Sequence, residues 1–254
     1  MRFADLSRTR LAELAPDAVV VLPVGATEQH GPHLPTGTDH AVVERVALGA
    51  AAVVTDFPVL VAPTVAMGYS DHHLRYGATI SVSADTLRAY LADCCRSLIG
   101  CGFRRVFVLN GHGGNVDVLG EVARVVSTET GCPVGSGSYW AIAWDELNAL
   151  GASGHGRLPG HAGAFETSLA VAVRPDWAVA DPPVRDWAPV PADPAPYPRY
   201  RIDDPGVWER NDGYSDNPAG ADPDRGARYL EAIVVALARA LGEFHGATEG
   251  GRST

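Results

Sequence analysis

Short apolar runs alternate along this chain with longer stretches in which apolar residues recur every three or four positions. Ala18 to Val24 is almost wholly apolar and predicts a buried strand. Val59–Ala62, Thr79–Val82 and Arg105–Leu109 predict further strands, and Pro133–Ser138 a weaker one. Leu6, Leu11 and Leu14 give a short helix over 5–15 its apolar face, and Val42, Val43, Val46 and Ala47 predict a helix starting near Asp39. Ser83 opens a third helix, through Leu98, with Asp85 in its first turn and Gly100 after its end. Asn115 to about Thr128, Trp140 to Leu150 and His161 to Val173, stopped by Pro175, read as three more. The last, Asp222 to Phe244, is amphipathic through Leu230, Ile233, Val234, Leu237 and Leu241. Strands alternating with helices predict an α/β fold with three α/β/α layers around a mostly parallel sheet.

Two stretches break this rhythm. Gly151 to Gly160 is a glycine-rich loop, and 181–205 carries prolines at 182, 183, 189, 191, 194, 196, 198 and 205. No second core of domain size follows. The chain therefore reads as one domain, 1–254, with an excursion at about 181–221 that either shapes a pocket or forms an inter-subunit arm.

Composition narrows the function classes. The apolar share of 46% suits a buried core, and the net charge of −10 with no basic run argues against nucleic acid or an anionic membrane as partner. No signal-peptide pattern and no apolar stretch of about 18 residues appears, so the expected location is cytoplasmic. Cys94, Cys95, Cys101 and Cys132 lack metal-binding spacing and read as free thiols of a reducing compartment.

The chemistry concentrates behind the first strand. From Glu28 to His40 the chain packs Glu28, His30, His33, Asp39 and His40 among glycine, proline and threonine. Nitrogen and oxygen ligands on a stiff loop at a strand end describe a metal site. Glu28 and His30 are two apart and point the same way in an extended segment. Asp39 is placed to bridge two ions. His112, in Asn110-Gly111-His112-Gly113-Gly114-Asn115 behind the 105–109 strand, joins them if the two strands are neighbours. Glu166, among small residues on a buried helix, is costly to leave unpaired and is a fifth candidate ligand. His33 and His40 read as supporting residues. Of His72 and His73 one should line the pocket and one be solvated. His155 reads as inert. No GxGxxG, P-loop, GxSxG or HExxH pattern is present.

Three of these segments together resemble the creatininase family: Val24-Gly25-Ala26-Thr27-Glu28-Gln29-His30-Gly31-Pro32-His33-Leu34-Pro35 with Thr38-Asp39, then Leu109 to Asn115, then His161-Ala162-Gly163-Ala164-Phe165-Glu166-Thr167-Ser168. His73 through Ser81 is similar to a fourth segment, with Gly77-Ala78 in place of Pro-Gly. The resemblance runs over about residues 17 to 240. It implies a dinuclear centre of two divalent ions (zinc, manganese or iron), hydrolysis of C–N bonds and a homo-oligomer, often a hexamer. It places Glu28 and His112 on one ion, His30 on the other and Asp39 between them, with His161 in proton transfer. Where creatininase proper has a glutamate ligand this chain has Gly114, for which Glu166 is the natural replacement. Where creatininase has a tryptophan four residues before the histidine, this chain has Arg157.

The expected activity is therefore metal-dependent hydrolysis of a small non-peptide amide, cyclic amide or formamide by a metal-bridging hydroxide. His161 and Glu166 are its catalytic candidates; His73, Gly113, Gly114 and Arg157 are candidate substrate contacts, Arg157 for an anionic group. Two alternatives stay open: a peptidase trimming a short or modified peptide, of the kind acting on the mycofactocin precursor, and a non-catalytic metal-binding assembly subunit.

Overall fold

Four of the apolar runs lie side by side as a parallel sheet in the order β2-β1-β3-β4. The structure, a computed structural model, describes residues 1–178, 181–186 and 206–249. The strands are β1 (Val19–Val24), β2 (Val59–Val61), β3 (Val106–Asn110) and β4 (Val134–Ser138). β1 is buried at every position, as expected of a strand covered on both faces. It pairs with β3 from Val20↔Val106 to Val24↔Asn110, so the loops after Val24 and Asn110 leave the sheet together. That adjacency was the condition for bringing Glu28 and His112 into one place.

The helices are α1 (Arg8–Leu14), α2 (Thr38–Val53), α3 (Ala84–Gly100), α4 (Val116–Thr130), α5 (Tyr139–Ile142), α6 (Trp144–Ala149), α7 (Ala164–Val173), α8 (Val207–Arg210) and α9 (Pro223–Glu249). Ser7 and Ser83 cap α1 and α3 by accepting from the N–H groups of Arg10 and Thr86. One core cluster joins α2, α7 and α9 to the sheet through Val43, Val46, Leu109, Phe165, Leu169, Ile233 and Leu237. The other joins α1, α3 and α4 to the opposite face through Leu14, Val20, Leu91, Val108, Leu119 and Val122. The result is the predicted three-layer α/β/α arrangement. Among the described residues, no helix is long and apolar enough to cross a membrane.

Three predicted elements differ, the first being the helix over Trp140–Leu150, which breaks at Ala143 into α5 and α6. Thr79–Val82 is not a strand: it makes one antiparallel bridge, Thr27↔Ile80, and Ile80 is 54% exposed. Its polar groups are spent elsewhere. Ser81 Oγ accepts from the Ser70 N–H (2.8 Å) and donates to Asp71 (2.7 Å), while Val82 N–H donates to the Gly68 carbonyl (3.1 Å). The segment clamps the loops below the sheet rather than extending it. The helix expected from His161 begins at Ala164, because Ala162 sits at φ +50°, outside helical space. The proline-rich part of the predicted excursion, from 187 to 205, lies outside the described residues.

Candidate metal centre

Two strand ends and two helix starts deliver the site. The loop after β1 carries Glu28 and His30, α2 begins with Thr38-Asp39, the loop after β3 carries His112, and Glu166 lies in the first turn of α7. All five side chains are buried: Glu28 and His30 are 0% exposed, Asp39 3%, His112 5% and Glu166 7%. Three carboxylates buried together are expensive unless cations share the space.

The hydrogen bonds of the two imidazoles fix which nitrogen faces the cluster. A carbonyl only accepts, so the ring nitrogen facing one must carry the proton. His112 Nε2–H donates to the Tyr69 carbonyl (3.1 Å), which leaves Nδ1 as the nitrogen facing the cluster, 3.2 Å from both Glu28 Oε1 and Asp39 Oδ2. His30 Nδ1–H donates to the Glu28 carbonyl (3.1 Å), which leaves Nε2 facing the cluster, where it hydrogen-bonds to Asp39 Oδ1 (3.1 Å) and lies 3.6 Å from Glu166 Oε2. A backbone carbonyl behind a histidine is how proteins orient an imidazole for a metal ion. Asp39 thus turns one oxygen to each histidine. Glu28 Oε1 and Asp39 Oδ2 are buried and accept no hydrogen bond. Ligand atoms of His30, Asp39 and Glu166 form one group within 4.8 Å, and those of Glu28, His72 and His112 form another. The donor chemistry, the two inward-facing ring nitrogens and the orphaned oxygens all fit two divalent ions sharing Asp39.

The titration behaviour has the same cause. Burial pushes the His30 ring down, but Asp39 and Glu166 outweigh it and hold it well above the usual histidine range. For His112 burial is likewise overcome, by Glu28 and Asp39. Burial raises the Glu28 carboxyl, with His112 opposing and Asp39 assisting. Asp39 goes the other way: burial would raise it, but His30 and His112 hold it low. Protons on two imidazoles balance the carboxylates where two cations would.

Around this centre the sequence-derived candidates divide. His161 is buried; its Nε2–H donates to the Gln29 carbonyl (2.9 Å), and its bare Nδ1 lies 3.5 Å from Glu28 Oε1. Burial, then the positive His30 and neighbouring histidines, push it well below the ordinary histidine value. His73 is buried at 3.7 Å from Glu28 Oε1, held neutral down to about 2 by burial and by the neighbouring His72, His112 and His30. His33 supports α7 through Thr167 Oγ1 (3.0 Å), and His40 contacts the Ala26 carbonyl (3.3 Å). Gly113 is exposed, at the turn that opens α4. Arg157 is exposed and is held through its backbone N–H by Asp216 (3.1 Å); its side chain makes no described contact with the cluster.

Gly114 is a tight fit. A Cβ there would collide with the Tyr69 carbonyl and lie 2.6 Å from His112 Nε2 and 3.1 Å from His72. Gly114→Ala should cost about 3 kcal/mol, the upper range for overpacking. That is a Tm loss of roughly 6–12 °C in a chain of this size. An unchanged thermal melt would show that the Tyr69 loop yields freely.

Four further residues support the centre: Gln29, Trp208 and Ser70 were given no role by sequence reasoning, and Asp216 was considered only as completing a neighbouring chain's site. Gln29 sits between two candidate ligands; its amide Nε2 donates to the Gly213 carbonyl (2.7 Å) and lies 2.8 Å from His73 Nδ1. Its place between Glu28 and His30, pointing to the other side, was the available signal. Trp208 of α8 packs on His72, His73 and His161 with ring centroids at 5.6, 4.6 and 5.3 Å. Asp216 is fully buried and accepts from the N–H groups of Ala164 (2.8 Å) and Arg157 (3.1 Å), so it serves α7 of its own chain. Ser70 Oγ donates to Glu28 Oε2. The contacts by which Asp216 and Ser70 serve the centre reach 42 to 59 positions along the chain, so no local pattern marks them.

A family model described as creatininase, creatinine amidohydrolase, matches residues 4–241. The creatinine amidohydrolase of Pseudomonas putida is 30% identical over 259 residues, covering 90% of each chain. The mycofactocin precursor peptide peptidase of Mycobacterium tuberculosis is 40% identical over 121 residues, so the match spans 43% of this chain and less than half, 46%, of that relative. Among solved structures, a Zn-Zn type mutant creatininase superposes with TM-score 0.74 at 28% identity, covering 95% of this chain and 97% of that one. A manganese creatininase gives TM-score 0.73 at the same identity and coverage.

Proposed function

The chain belongs to the creatininase family of hydrolases, and on that premise we propose that it is a metal-dependent amidohydrolase cleaving a C–N bond of a small amide, cyclic amide or formamide. The observation that carries the reading is the pair of buried imidazoles, each tied by one N–H to a carbonyl and each aiming its other nitrogen at one oxygen of Asp39. Glu28 and His112 would hold one divalent ion, His30 and Glu166 the other, and Asp39 both. Zinc and manganese forms of structurally similar creatininases support that choice of ions, and iron suits the same donors. Bound there, such ions supply Lewis acidity to a carbonyl and an acidified water.

The remaining chemistry belongs to side chains. A water oxygen adds to the carbonyl carbon and its proton passes to His161 Nδ1, which the Gln29 carbonyl keeps in the accepting tautomer. His161 then delivers that proton to the leaving nitrogen as the C–N bond breaks, giving an acid and an amine. Gln29 positions His73 beside Glu28, and Trp208 walls the histidines from solvent. Gly113, exposed and without a side chain, leaves backbone for a substrate to approach.

Loading the metal-free protein should release about two protons per centre at neutral pH, one each from His30 and His112, whose pKa values are raised. Uptake should therefore strengthen as pH rises, and chelation should abolish turnover. Calorimetry in buffers of different ionisation enthalpy reads the protons. Full activity in a metal-free sample would end the proposal. The identity to mycobacterial peptide peptidases favours a second reading, hydrolysis at a peptide terminus. Short peptides assayed beside cyclic amides and formamides separate the two. Metal uptake without turnover on any of them would instead point to a non-catalytic assembly subunit.

A further inference from the structure

We propose that His72 is a protein ligand of the ion seated on Glu28 and His112, and that this nitrogen makes that seat prefer Zn²⁺ to Mn²⁺. The inference rests on the reading that the cluster holds divalent ions. A ring nitrogen of His72, a carboxylate oxygen of Glu28 and a ring nitrogen of His112 all lie within 4.8 Å of one another. Ligands about 2.0–2.1 Å from a tetrahedral ion stand roughly 3.4 Å apart, so closure on an ion needs only a small shift.

The surroundings aim the ring there. His72 lies on a short 3-10 turn, Asp71–Tyr76, that starts at Ser70, whose hydroxyl donates to Glu28. Its ring is parallel to that of His112, with an interplanar angle of 5° and centroids 5.7 Å apart, and Trp208 packs at 5.6 Å. Arg75 on the same turn pairs with Glu209 of α8 and ties the turn to the Trp208 helix. The missing side chain at Gly114 leaves the space: a Cβ there would press on His72 Cε1 at 3.1 Å. His73 is differently engaged, its Nδ1 held by the Gln29 amide.

The two seats then differ in donors. Glu28, Asp39, His112 and His72 offer two oxygens and two nitrogens, a complete tetrahedral set. His30, Asp39 and Glu166 offer two oxygens and one nitrogen, which leaves a position for substrate or water. Extra imidazole favours zinc over manganese, which prefers oxygen.

The test titrates metal-free full-length protein with Zn²⁺ and with Mn²⁺ against a chromophoric chelator. Bound ions per chain are counted by mass spectrometry. Wild type should bind two Zn²⁺. His72→Ala should hold one as before and the other at least ~10–100-fold more weakly, the loss expected for disturbing a ligand shell. His72→Glu should keep both ions while Mn²⁺ competes about tenfold better at one seat. Retention of the second ion shows that each variant is folded. Two Zn²⁺ bound by His72→Ala with wild-type affinity would overturn the inference and leave the functional proposal standing, as would an unchanged zinc-to-manganese ratio in His72→Glu. A wild-type chain that binds neither ion would instead overturn the functional proposal itself.

Discussion

Replacing Asp39 by alanine should empty both metal seats and reduce hydrolysis to background. Asp39 is the residue shared by the two halves of the cluster: Oδ1 lies 3.1 Å from His30 Nε2 and Oδ2 3.2 Å from His112 Nδ1. It enters from the first turn of α2, where the backbone is fixed by helix hydrogen bonds, so no neighbouring residue can take its place. Each seat should lose more than the ~10–100-fold that follows from disturbing only an outer partner of a ligand. The metal-free protein should weaken as well, by about 2–3 kcal/mol. That is less than the ~3–5 kcal/mol of a broken buried pair, because both imidazoles can shed the protons that Asp39 helped to hold. Asp39→Asn keeps the shape but loses a charge, and should retain one ion at most. Metal content after gel filtration, with circular dichroism to check folding, reads the result. Two ions retained by the alanine variant would rule out a shared carboxylate.

The second large effect concerns turnover without metal loss. His161→Asn should lower kcat by about 10²–10⁴-fold, the usual weight of a positioned acid–base group, while both ions stay bound. The Gln29 carbonyl, which accepts from Nε2–H, and the bare Nδ1 beside Glu28 make the ring a proton acceptor, and its depressed pKa keeps it neutral through the physiological range. Its own titration therefore should not appear in the pH profile near 6.5; any acid limb there must belong to another group. The same ring also lies within ligand distance of Glu28 and His30. Loss of one ion in His161→Asn would move it from proton carrier to ligand.

The layers and the first half of the site were legible in the sequence for a local reason. Strands β1 and β3 are continuous apolar runs, and their ends carry the polar loops that chemistry needs. Glu28, His30, Asp39 and His112 are therefore found by strand-end position and residue type alone. Thr79–Val82 misled because its β-branched residues satisfy strand propensity, whereas its hydrogen bonds are claimed by Ser70, Asp71 and Gly68. Of His72 and His73 the sequence predicts one pocket-lining and one solvated residue, with His73 the candidate substrate contact. In the structure His73 is buried, and His72 is half-buried within ligand distance of Glu28 and His112. Arg157, the candidate contact for an anionic group, is exposed, and Asp216 holds its backbone N–H. Trp208 and Asp216 were out of reach: their roles exist only once the 206–217 segment folds back over the loop before α7.

That return has a consequence in time. Asp216 holds the first N–H of α7, Ser215 accepts from the His161 N–H at 2.8 Å, and the His161 carbonyl accepts from the Ser215 N–H at 2.9 Å. The segment bearing His161 and Glu166 is thus fastened by residues made some fifty positions later. A ribosome has to synthesise the chain beyond Asp216, and clear its exit tunnel, before the centre can close. The side of the centre that carries His161 and Glu166 is therefore completed after the sheet and its first helices have been made, whereas Glu28, Asp39 and His112 are already in the chain.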